Sequence, residues 1–277
     1  MRAEGIRTIR VQADRAAHDG PWRVALERGF FEAEGLAVEY VEGNTRCEDF
    51  AERSKESGLV LGDLDVYPVC EWGAIKRVHE LRGARILASD AALRRGAIVV
   101  LVDSPVRVPA DLADVPIAVT WHAGTHYAAV EALERHLPPE RIRVVHAEDR
   151  VAALFERQAG AATLMEPLVS EAEGRGARRV LEISWRGNIV AADRLDAETG
   201  ERIVRALRRA VAWLREDEGR ARDDLLRDVP PDRRERALAP DPLEPGPYDE
   251  GRFREVYHWM VEHGMIDGEA SYSEIVR

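Results

Sequence analysis

Cysteine, lysine and long apolar runs are all scarce in this chain. Cys47 and Cys70 are the only cysteines in 277 residues; two thiols make no disulfide framework, and their spacing makes no Cys-x-x-Cys metal or redox pair. Lys55 and Lys76 are the only lysines, so Schiff-base chemistry would have two candidate amines. No stretch approaches the uncharged apolar length that spans a bilayer, which excludes membrane insertion by a helix. The opening Met1-Arg2-Ala3-Glu4-Gly5-Ile6-Arg7 interrupts any apolar run with charge. It offers neither a signal-peptide core nor a lipid-anchor cysteine, so the expected compartment is the cytoplasm, with export only behind a leader trimmed from this sequence. Basic charge is also in deficit, 40 Lys+Arg against 51 Asp+Glu for a net charge of -11. Nucleic acid and anionic membranes both reward a basic face, and neither is an expected partner.

What is present is an ordinary globular composition, 45% hydrophobic and 33% charged, on a chain long enough for one large domain or two lobes. Strand and helix patterns alternate. Ile9 to Ala13 reads as a strand. Asp19-Gly20-Pro21 opens a helix that Gly35 stops, and Leu36 to Val41 is the next strand. A polar helix is expected around Cys47 to Glu56, a strand over Leu59 to Val66, a helix from about Cys70 to Glu80, and a strand over Ala84 to Ala88. From Gly96 the theme restarts with Ala97 to Val102, Val115 to Val119, a helix over Thr125 to His136, Ile142 to Val145, a helix over Asp149 to Gln158, and Ala161 to Met165. Val180 to Ile183 and Asn188 to Ala192 are expected as strands leading back. The remainder reads as mainly helical, over Asp196 to Glu216 and Asp249 to His263. Six of the 14 prolines fall between Pro230 and Pro247, which makes that stretch an irregular wrap. No solenoid repeat or low-complexity tract occurs.

This alternation predicts an α/β fold with mixed, mostly parallel sheets in two lobes and a helical C-terminal region. The expected lobes are residues 1–92 with 188–277, and residues 93–187. Two crossovers would join them, near Ser89 to Gly96 and Ser184 to Asn188. A ligand would sit beyond the carboxyl ends of strands, in the cleft between lobes.

The run from His18-Asp19-Gly20-Pro21-Trp22 to Gly35-Leu36 resembles the opening of the type II periplasmic-binding-protein fold. More narrowly, it is similar to the sulfonate, nitrate and taurine transporter substrate-binding family, which includes the fungal thiamine-pyrimidine synthase. The similarity continues through Asp65 to Gly73, Asp103 to Leu112, Val119 to Tyr127, Ala161 to Pro167 and Val256 to Ile266, in order over nearly the whole chain. The resemblance implies a Venus-flytrap architecture closing on a small molecule, with a transporter permease as partner if the protein is exported. It does not decide between carrier and enzyme.

Mapped by family position, ligand contacts are expected from His18 and Trp22, from Cys70, Glu71 and Trp72, from Trp121, His122, Gly124, Thr125 and His126, and from Glu166. The small-residue loop Ala123-Gly124-Thr125 opens a helix whose first amides and dipole suit an anionic group, unless Thr125 merely caps its own helix. His122 and His126 stand four apart but lack the glutamate of a His-Glu-x-x-His motif, so acid–base or donor roles suit them better than a metal, and no metal is expected. Cys70 at a helix start could be a nucleophile or a small core residue. Glu71 could accept from a ligand amine, act as a base, or simply favour its helix dipole. Trp22, Trp72 and Trp121 could wall a planar ligand or pack the core. Glu166 before Pro167 could face the cleft or cap an interface. His79, His136, His146, His258 and His263 are assigned no chemistry. The pyrimidine-synthase branch uses pyridoxal phosphate, a lysine and a cysteine-rich motif. This chain lacks the cysteine cluster, and no cofactor is expected. Three functions follow: a receptor binding a small anionic or aromatic molecule, a lyase-, decarboxylase- or pyrimidine-synthase-like enzyme using Cys70, Glu71, His122 or His126, or a ligand-sensing or carrier protein that touches a partner through its closed form.

Overall fold

The computed structural model of the chain describes residues 6–13, 16–41, 54–81 and 83–276. The strands are β1 (Arg7–Val11), β2 (Leu36–Tyr40), β3 (Val66–Cys70), β4 (Ala84–Ser89), β5 (Ala92–Leu101), β6 (Pro116–Val119), β7 (Arg143–His146), β8 (Ala161–Met165), β9 (Ala177–Trp185), β10 (Gly187–Ala192) and β11 (Asp241–Pro242). The α-helices are α1 (Ala16–Glu27), α2 (Phe30–Ala33), α3 (Ser54–Leu61), α4 (Glu71–Glu80), α5 (Gly124–Leu133), α6 (Arg150–Phe155), α7 (Leu168–Gly174), α8 (Ala197–Arg215), α9 (Glu218–Leu225), α10 (Glu250–Glu262) and α11 (Tyr272–Ile275).

The strands form two mixed sheets. The first runs β2-β1-β3-β10-β4, and the second runs β11-β5-β8-β6-β7 with β9 on the other edge of β5. The parallel pairs that the alternation predicts are β1 with β2 and β3, and β6 with β7 and β8. The antiparallel pairs come from the strands that carry the chain between sheets: β10 lies between β3 and β4, and β5 pairs with β8 and β9. The architecture is the two-lobed α/β fold expected from the sequence, with helices flanking both sheets. The chain crosses after Ser89 and returns through Arg186, so both crossovers are short. They are tied together, with the Asp90 amide donating to the Gly187 carbonyl at 2.8 Å and the Glu71 amide to the Arg186 carbonyl at 3.2 Å.

Helix starts follow local chemistry. Asp149, Asp196, Asp217 and Asp249 each accept a hydrogen bond from the amide three residues on, at the starts of α6, α8, α9 and α10, which satisfies a donor that the helix leaves orphaned. Two expectations are corrected. The helix read as running from Asp19 to Gly35 breaks at Gly29, φ 68°, into α1 and α2. The run Leu59 to Val66, read as a strand, is the end of α3 followed by a turn, and the strand is Val66–Cys70. Leu59 and Leu64 are buried while Val60 and Leu61 face solvent. A short apolar run does not by itself distinguish helix from strand, and Gly62, at φ 87°, ends the helix as its freedom from a Cβ allows. The polar helix expected around Cys47 to Glu56 lies largely outside the described residues. In the proline-rich wrap, Pro231–Arg236 forms a 3-10 turn and β11 docks against β5.

Each lobe has its own apolar core, Ile9, Trp22, Leu36 and Leu207 in one and Val99, Leu154 and Leu164 in the other. A third core crosses the seam. It joins Trp72 and Ile75 of α4 to Tyr127 and Leu133 of α5, and to Phe253 and Met260 of α10.

Candidate functional site

Two helix starts meet at the seam. Cys70 ends β3 and caps α4, its Sγ accepting the Gly73 amide at 3.3 Å. Facing it, α5 begins without a side-chain cap: its N-cap is Ala123. The Thr125 hydroxyl does not cap the helix but accepts from Arg150 Nη1 at 2.9 Å, while the same nitrogen donates to the Thr163 carbonyl at 2.8 Å. Among the described residues the Gly124 and Thr125 amides have no acceptor. Glycine at 124 is a matter of space. A Cβ there would lie 2.5 Å from Trp185 Nε1 and 3.0 Å from Cys70 Cβ, so the backbone of α5 touches both the hinge strand and the cap of α4. Trp185 is buried, and its indole N–H has no acceptor among the described residues. A donor in that state is costly unless something accepts from it.

The histidines form a network around this start. His122 takes φ 57°, a strained turn value; its amide donates to His126 Nδ1 at 3.1 Å, and its own Nδ1 lies 3.1 Å from the Tyr127 hydroxyl. Tyr127 stacks on His126 at 5.2 Å and on Trp72 at 5.6 Å. Trp121, half-exposed, sits beside His146, whose Nδ1 accepts the Trp121 amide at 3.3 Å. Among the described residues no three His, Cys, Asp or Glu side chains are grouped to hold a metal ion.

Glu71 is buried completely and held by the chain itself. Arg252 grips it bidentately, Nη2 to Oε1 at 2.6 Å and Nε to Oε2 at 3.1 Å, and the Tyr248 hydroxyl donates to Oε2 at 3.3 Å. Burial pushes the Glu71 carboxyl above the ordinary carboxylate value, against the opposing pull of Arg252. Burial and the Glu71 charge in turn push the Tyr248 hydroxyl up, and the Arg252 pKa is raised through its bond to Glu71. A carboxylate so occupied shapes the local field more than it offers a free acceptor.

On the opposite side of the hinge lies a second buried charge cluster. Arg94 is fully enclosed between Asp19 and Asp90, with Arg94 Nη2 donating to Asp19 at 3.2 Å and to Asp90, and Trp22 Nε1 donating to Asp90 at 3.0 Å. The guanidinium lies against Gly187, where a Cβ would meet Nη1 at 1.8 Å. Trp22 is therefore surrounded by core and bonded at its polar edge. Both Glu166 oxygens accept backbone amides, Ser170 at 3.1 Å and Leu238 at 2.9 Å, so this carboxylate caps α7 and clasps the proline-rich wrap. The His18 side chain lies outside the described residues.

The structure thus gathers Cys70, Trp72, Gly124, Thr125 and His126 at one seam, with His122 and Trp121 on its rim, and gives Trp22 and Glu166 packing and backbone duties. Sequence reading did not single out Tyr127, His146, Trp185, Tyr248 or Arg252. Trp185 could have drawn notice as a tryptophan beside the expected second crossover; Arg252 lies 181 residues from Glu71 and carries no local signal.

The fold is that of the type II periplasmic binding proteins. The alkanesulfonate-binding protein SsuA from Xanthomonas axonopodis pv. citri, bound to MOPS, superposes with a TM-score of 0.78 at 15% identity, covering 99% of each chain. The periplasmic aliphatic sulphonate binding protein SsuA from Escherichia coli gives 0.74 at 13% identity, over 98% of this chain and 96% of that one. The desulfurization enzyme DSZB gives 0.66 at 15% identity, over 97% and 96%. At these identities the likeness establishes the fold. No family model matches the chain, and no curated protein matches its sequence.

Proposed function

We propose that the protein is a receptor that closes over a small organic anion of the sulfonate kind and passes it to a membrane permease. One observation carries this reading: the buried indole N–H of Trp185, without an acceptor among the described residues, sits beside the uncapped start of α5. An indole N–H, two free backbone amides and the positive end of a ten-residue helix are all donors, and an anionic oxygen is the group they share. The SsuA proteins, which bind sulfonates, have the same fold. Calorimetric titration of Trp185→Phe and wild type with a panel of alkanesulfonates, MOPS and taurine tests it. A hydrogen bond to a charged group is worth about 1.5–3 kcal/mol, so the variant should bind roughly tenfold to hundredfold more weakly. An unchanged Kd in Trp185→Phe, or no binding of any sulfonate by wild type, overturns the reading.

A second reading, catalysis through Cys70, draws support from one feature. Its Sγ accepts the Gly73 amide at the start of α4, which places a thiol at a helix N-terminus as nucleophilic cysteines often are, and DSZB is an enzyme on this fold. Incubation of wild-type protein with a sulfonate or a sulfinate, followed by mass analysis for product, distinguishes the two: intact ligand supports the receptor.

A further inference from the structure

Helix α10 is anchored on one lobe and reaches the other along a single stripe. The anchors of α10 and of the C-terminal segment that follows it are on α4 and β4. Lys76 Nζ donates to the Met265 carbonyl at 2.9 Å, the Tyr257 hydroxyl lies 3.3 Å from His79 Nδ1, and Val276 bridges to Ile86. Arg252, Trp259 and His263 are spaced seven and four apart, which puts them on one face of a helix with 3.6 residues per turn. Across the seam, Glu131 of α5 and Glu134 at its C-cap, three apart, present one face as well. Arg252 Nη2 lies 3.6 Å from Glu131, Trp259 Nε1 donates to Glu134 at 2.9 Å, and His263 Nε2 also bonds Glu134. Trp72, at the start of α4, is packed between Tyr127 of α5 at 5.6 Å and Trp259 of α10 at 6.2 Å.

We infer that α10 is a releasable strap that holds the lobes shut across this seam. A rotation of the second lobe about the crossovers at Asp90 and Arg186 would part α5 from α10, break these three polar contacts and open the apolar contact of Tyr127 and Leu133 with Trp72 and Met260. The grip of Arg252 on Glu71 lies wholly within the first lobe and survives the rotation. Letting go of Glu131 therefore strands no buried charge, since the Arg252 guanidinium keeps its main partner and Glu131 and Glu134, already partly exposed, gain water. A fully buried ion pair in the same place would cost several kcal/mol to break and would weld the seam. Partly solvated contacts of this kind add a bias of modest size to the apolar contact across the seam, one that can be released without stranding charge as a hinge closes and reopens.

The test is small-angle scattering and amide exchange on the full chain without added ligand, comparing wild type with Glu131→Gln/Glu134→Gln. A closed chain of this length has a radius of gyration near ~19 Å. The double variant should show a larger radius and a roughly tenfold rise in amide exchange confined to 124–133 and the facing residues of α10. Trp259→Phe, which keeps the ring on Trp72 and removes only the donor to Glu134, should shift both readouts the same way by a smaller amount. It serves as the test if the double variant does not fold. Glu250→Gln, which loosens an exposed pair with Arg254 on the outer face of the same helix, should leave both unchanged. Scattering and exchange indistinguishable from wild type in the folded variants overturn the strap. Neither readout depends on a ligand, so failure of the sulfonate reading leaves this inference standing, and its failure leaves that reading standing.

Discussion

Replacing Arg94 with methionine should be the most damaging single substitution at the hinge. Arg94 has no exposed side-chain area, and Asp19 and Asp90 each keep 2%. Removing the guanidinium leaves two carboxylates out of water without it, a perturbation of about 3–5 kcal/mol. That is a third or more of the stability of a typical domain. At roughly 2–3 °C of melting temperature per kcal/mol for a chain of this size, the expected fall is roughly 6–15 °C. Neutralising both carboxylates with Asp19→Asn/Asp90→Asn on the Arg94→Met background should recover most of the loss. Urea denaturation followed by circular dichroism measures both the loss and its recovery. A penalty below about 1 kcal/mol would refute the claim that this triad is a dry ion cluster, one cation between two anions, pinned between Asp90 and Gly187.

Two further outcomes follow from the seam. Because burial raises the Glu71 carboxyl above the ordinary carboxylate value, the native state holds its proton to higher pH than the unfolded chain, so the contribution of Glu71 is most favourable in acid and is lost as pH rises through the folded value. Glu71→Gln should therefore gain on wild type as pH rises from 4 towards 7 in paired urea titrations; a difference that moves the other way sinks the assignment. Cys70→Ser should keep the cap on α4, because a hydroxyl accepts the Gly73 amide at least as well as a thiol does, and stability should stay within about 1 kcal/mol of wild type. A drop beyond about 2 kcal/mol on chemical denaturation would mean that Cys70 is needed for packing and not for capping.

Much of this protein is decided locally and was legible in its sequence. The helix starts at 149, 196 and 249 and most of the apolar strands depend on neighbours a few residues away, and alternation with period two or 3.6 records them. The start of α5 was equally legible: Ala123-Gly124-Thr125 leaves helix amides to be satisfied whatever the rest of the chain does. The run at Leu59 to Val66 was misread because four or five apolar residues fit a buried helix end as well as a strand, and only the position of α3 against Leu64 separates them. Tertiary structure alone decided which side chains the cleft keeps for itself. Glu71 and Glu166 look alike in the sequence, each a carboxylate just past a strand, yet one is neutralised by Arg252 from the far end of the chain and the other is spent on two backbone amides. Trp22 and Trp185 are likewise both buried tryptophans, but Asp90 accepts from the first and no described residue accepts from the second. Whether a buried polar group is satisfied depends on partners brought close by the fold, and sequence distance holds no record of them.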